Sequence, residues 1–106
     1  MPGVGKLLKQ AQKMQKKIEE ANQQLLNEVI EVSMAGGAVK VGVNGHGEPL
    51  SLAIDPEFLK EEKSVVEQTV LDAFKDAVKR SKDRNQELMQ GATAGFGLGG
   101  QMGLLG

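Results

Sequence analysis

The chain has 106 residues, a formal net charge of −1, three Phe, and no Trp, Tyr or Cys. This length fits one domain with a modest core, and the lack of cysteine excludes disulfides and thiolate metal sites. No apolar run is long enough to span a bilayer, and lysines interrupt the N-terminus too often for the apolar core of a signal peptide, so a cytoplasmic protein is expected. With so few large rings the core is thin, which favours a homodimer that completes it.

Residues 1–5 contain Pro2, Gly3 and Gly5 and are expected to form a flexible lead without regular structure. Residues 6–26 predict a long helix. Leu7, Ala11, Met14, Ile18, Ala21 and Leu25 recur at alternating spacings of four and three, a heptad seam. At about 100° per residue these six fall within roughly 40° of one line along the helix. Lys6, Lys9, Lys13, Lys16 and Lys17 occupy one flank, roughly 80° to 180° round from that seam. A basic stripe beside an apolar one reads either as a solvated amphipathic helix or as a surface that follows a polyanion.

From Glu28 the period changes to two, with Ile30, Val32 and Met34 on one face of a first strand. Gly36 and Gly37 signal a turn. A second strand over 38–44 carries Val39, Val41 and Val43 on one face, and the Asn-Gly pair at 44–45 opens the next turn. A third strand over 49–54 is expected to point Leu50, Leu52 and Ile54 inward. Three strands joined by short turns make an antiparallel meander. Asp55, Pro56 and Glu57 supply an N-cap, a proline suited to the first helical position and an acid for the dipole, so a second helix is expected from there to about Gln90. Its apolar face is wider than that of the first helix and is expected to cover the sheet. Lys75, Lys79, Arg80, Lys82 and Arg84 then stand near its C-terminal end, where the macrodipole and a bound anion explain them equally. Gly91 is expected to end the helix, leaving 91–106 as an uncharged, glycine-rich flexible tail.

Net charge conceals a separation of charge along the chain. Residues 1–18 carry five lysines and no acid, residues 19–62 two lysines against nine acids, and residues 63–90 six basic and five acidic residues. Such a distribution produces a local field that the total of −1 does not show.

Catalytic readings find little support. The glycines at 95, 97, 99 and 100 lack the strand before and the helix after that a phosphate-binding loop needs. His46 has no second histidine or cysteine to share a metal with. No serine lies in a nucleophile-elbow sequence, and the adjacent pairs Glu19-Glu20 and Glu61-Glu62 diverge by about 100° on a helix. A non-enzymatic protein without cofactor, metal or small-molecule substrate is expected.

Five stretches, LKQAQKMQ at 8–15, GGAVKV at 36–41, NGHGE at 44–48, IDP at 54–56 and AFKDA at 73–77, together resemble the YbaB/EbfC family of small bacterial nucleoid-associated proteins over residues 6–89. The resemblance implies an α+β chain of order α-β-β-β-α, with a three-stranded antiparallel meander and two long helices, assembled as an intimate homodimer. It further implies that projecting helices grip double-stranded DNA in the nucleoid, organise the chromosome and modulate transcription, with no cofactor. The candidate DNA-binding residues are the helix-borne Lys6, Lys9, Lys13, Lys16, Lys17, Lys75, Lys79, Arg80, Lys82 and Arg84. Lysine-dominated contacts and the absence of stacking rings predict weak sequence preference on duplex DNA. The alternatives are an adaptor whose first helix docks a partner helix, and a membrane-surface binder, for which Ala11, Met14 and Ala21 make a poor wedge.

Overall fold

The computed structural model describes residues 2–94. In chain order it consists of helix α1 (Pro2–Asn27), strands β1 (Ile30–Met34), β2 (Val39–Val43) and β3 (Pro49–Ile54), and helix α2 (Lys63–Thr93). The three strands form one antiparallel sheet in the order β1-β2-β3, with Val32 opposite Val41 and Val41 opposite Leu52. The α-β-β-β-α order and the meander agree with the sequence reading.

Three boundaries differ from it. Helix α1 begins at Pro2, so residues 2–5 are helical rather than an unstructured lead. Proline at the first helical position loses no hydrogen bond that the helix could make and has φ already set near the helical value. The signal at Asp55 is real but starts a shorter element. The Asp55 carboxylate accepts the Glu57 N–H at 3.0 Å, and its carbonyl accepts that of Phe58 at 2.9 Å. A single 3₁₀ turn, Phe58–Lys60, follows. It sets Phe58 against the core, and Glu61 and Glu62, with ψ of 166° and 142°, then re-aim the chain into α2. At the other end Gly91 does not stop α2, which continues to Thr93. Glycine weakens a helix interior by about 1 kcal/mol relative to alanine but does not forbid it. Most of the tail expected over 91–106 lies outside the described residues.

The core lies between α2 and the first two strands. Val32, Val39, Val41 and Val43 pack against Ala73 and Ala77, with Ile54, Phe58, Val70 and Phe74 around them. The two alanines let the helix approach the sheet closely. Helix α2 lies mainly over β1 and β2; of the third strand Ile54 packs against the core as expected, but Leu50 and Leu52 do not. Leu52 shares the core face through its register with Val41, yet it is 49% exposed. Leu50 occupies a bulge, where Gly42 pairs with Ser51 and Val43 with Pro49, and it too is exposed.

Helix α1 packs antiparallel on the distal part of α2, for Glu28 meets Arg84 while Lys17 lies near Gly91 and Ala92. Ala21 and Leu25 are buried, Met14 and Ile18 half-buried, and Ala11 and Leu7 exposed. The inner half of the seam is therefore covered within the chain, Ala21 beside α2 and Leu25 beneath Gly45. The outer half projects, and the molecule measures 72 × 27 × 17 Å.

Candidate nucleic-acid interface

Lys6, Lys9, Lys13, Lys16 and Lys17 are all exposed on α1. Among the described residues Lys6, Lys9, Lys13 and Lys16 form no ion pair, and Lys17 lies beside Glu20, Arg84 and Glu87. The helix macrodipole favours acids in the first turn and bases in the last. Helix α1 has no acid in its first turn, no base in its last turn, and five lysines in its first 17 residues. The lysines therefore stand beyond the first turn and well short of the last, where the macrodipole has little hold on them, and their shared flank is open to an anion.

The structure divides the second basic group. Helix α2 has no base in its last turn and runs nine residues past Arg84 to Thr93, so the macrodipole does not explain Lys75, Lys79 and Lys82. These three lie at i, i+4 and i+7, beside the apolar side formed by Leu71, Phe74 and Val78. At about 100° per residue this stripe points roughly opposite to the side of α2 against which α1 packs, so within one chain the two lysine stripes do not merge.

The two arginines face other tasks. Arg80 pairs with Asp76 at 3.2 Å. Arg84 grips Glu28 with two nitrogens, Nη2 to Oε1 at 2.7 Å and Nε to Oε2 at 2.9 Å, joining the end of α1 to α2. The hydrogen bonds from Arg84 hold the Glu28 carboxyl below its ordinary value, more than partial burial raises it. Glu28 also raises the Arg84 guanidinium. These residues lie 56 positions apart, and no local pattern in the sequence signals the pairing. A second long-range contact unseen in the sequence joins His46 Nε2 to the Asn22 carbonyl at 3.1 Å.

No described helix is long and apolar enough to cross a membrane. The fold resembles the crystal structure of uncharacterized protein HP0035 from Helicobacter pylori with a TM-score of 0.63 and 25% identity, over 71% of this chain and 88% of that one. A nucleoid-associated protein of Hahella chejuensis (strain KCTC 2396) is 35% identical over 95 residues, which span 90% of this chain and 88% of the relative. The family model of the YbaB/EbfC DNA-binding family matches residues 1–96, almost the whole length that carries these helices and strands, and the chain belongs to that family.

Proposed function

We propose that the protein is nucleoid-associated and binds double-stranded DNA as a homodimer with low sequence specificity, organising the chromosome and influencing transcription rather than catalysing a reaction. The observation that carries this reading is the exposed lysine stripe of α1, five lysines with no acid over residues 6–18, in a chain of a DNA-binding family. The name of the Hahella relative supports the nucleoid assignment. Lysine is a flexible point charge suited to phosphates, and two protomers would offer about ten such cations. Lys75, Lys79 and Lys82 form a second, separate contact surface, while Arg80 and Arg84 mainly hold their acidic partners. The uncovered Leu50 and Leu52 of β3, together with Leu71 of α2, support a dimer that buries this side.

Titration of the purified protein with two duplexes of unrelated sequence, at about 50 mM and about 200 mM salt, tests the proposal. The expected result is similar affinity for both and a steep loss at the higher salt. Absence of binding to either duplex at low salt would overturn it.

A further inference from the structure

The NGHGE segment at 44–48 belongs to neither basic stripe, yet its bonds lock both its own shape and its neighbours. Asn44 is buried, and its Nδ2 donates to Glu48 Oε1 at 2.9 Å while its Oδ1 accepts the N–H groups of His46 and Glu48 at 2.9 and 3.0 Å. Gly47, at a φ of +79°, closes the turn in the left-handed region that favours glycine, and its N–H donates to the Asn44 carbonyl at 3.0 Å.

This rigid turn is wedged between the helices. On the α1 side the Gly45 N–H donates to the Leu25 carbonyl at 2.7 Å, serving one of the last four carbonyls of the helix, which lack a full complement of partners inside it. One turn back, His46 Nε2 bonds the Asn22 carbonyl. The approach is so close that a Cβ on Gly45 would lie 2.8 Å from Leu25 Cα, a distance that only a shift of turn or helix relieves. On the α2 side a Cβ on Gly47 would stand 3.6 Å from the Oγ of the buried Ser81.

We propose that the 44–48 turn is the clamp that sets the direction of α1 relative to the sheet, with Gly45 and His46 as positioning residues for the lysine stripe. Its consequence for DNA rests on the reading of that stripe given above. Helix α1 projects far beyond the core, so a small change of angle at its root moves Lys6 and Lys9 by several times the displacement at Leu25. His46 reaches a backbone carbonyl, so its Nε2–H is the donor in this contact.

The natural chain contains no cysteine, so spin labels placed by Gln12→Cys and Ser33→Cys are unique. Both positions are exposed, one on α1 and one on β1. Pulsed dipolar spectroscopy on the full chain, diluted with unlabelled protein to isolate the distance within one protomer, reads the direction of α1 directly. The expected result is a narrow distribution in the parent, a broadened one in His46→Ala and a shifted one in Gly45→Ala. Duplex binding should weaken about threefold or more in each, because a re-aimed or loosened α1 no longer holds its outer lysines in line with the phosphates. Gly42→Ala is the control, because its new methyl meets first the movable Ser51 Oγ and stays clear of α1, so distance and binding should both remain at the parent values. Should Gly45→Ala fail to fold, His46→Ala carries the test alone, since it removes only a side chain. Unchanged distributions in the folded variants would overturn the clamp. A changed distribution with unchanged DNA affinity would uphold the clamp and overturn the assignment of binding to the α1 stripe.

Discussion

Arg84 ties the end of α1 to α2, with Glu28 as its principal partner at 2.7 Å and Glu87 at 3.5 Å. Its fork is occupied by Glu28, and the side chains are only 31% and 26% exposed. The folded chain holds Glu28 below its ordinary value of 4.5, so the unfolded chain binds that proton more readily. The contribution of the pair is therefore complete above that ordinary value and is lost as pH falls through the lower folded one. Melting of the parent and of Glu28→Gln from pH 7 to pH 3 should show a gap that is constant at the upper end and shrinks in acid. Ala35 offers a backbone counterpart. It is the one described non-glycine residue at positive φ, +56°, in the turn between β1 and β2, a conformation that costs an L-residue about 1 kcal/mol or more. Ala35→Gly should stabilise by up to about 1 kcal/mol after the added freedom of the unfolded chain is counted, read as a higher denaturant midpoint with an unchanged slope.

The helices carry avoidable weakness at Gly5 and Gly91. A Cβ at either position would meet nothing within 4 Å, so Gly5→Ala and Gly91→Ala should each stabilise by about 0.5 kcal/mol, somewhat below the mid-helix difference because both lie near helix ends. Chemical denaturation of the single and double variants checks this, and the gains should add because the two sites share no neighbours, Gly91 lying beside Lys17 rather than Gly5. What the sequence revealed divides along the same lines. The alternation of Val39, Val41 and Val43 reports a half-buried strand directly, and β3 begins and ends where its turn residues placed it. The heptad seam located α1, but its periodicity could not show that only Ala21 and Leu25 of it are buried within the chain. The exposure of Leu50 and Leu52 depends on which strands α2 crosses, a tertiary choice that alternation does not encode. Asp55 and Pro56 gave a sound local start signal, and the break at Glu61 and Glu62 arose from placing Phe58 in the core. The lysine stripe was legible from helical geometry alone, whereas the division of the 75–84 group required knowing that Glu28 and Asp76 stand beside the arginines.

Taken as a whole the chain is extended. Its radius of gyration is 19.6 Å, against about 13 Å for a compact chain of this length. Among the exposed apolar residues of β3 and α2, Leu50, Leu52 and Leu71 are the surface that the proposed dimer would bury. Sedimentation at micromolar concentration should give one species near twice the 11.3 kDa chain mass, and a well-folded monomer would exclude the dimer. The projecting α1 would then present its lysines from both protomers to one duplex. The most direct measurement is the salt dependence of duplex affinity for the parent and for a variant with Lys9→Gln, Lys13→Gln and Lys16→Gln together. All three side chains are exposed and away from the seam, so the fold should persist. Each phosphate contact contributes about −0.9 to the slope of log affinity against log salt. The expected result is weaker binding, by similar factors on unrelated sequences, and a shallower slope in the variant. A folded triple variant that binds with the parent's affinity and slope would contradict the assignment of DNA binding to α1.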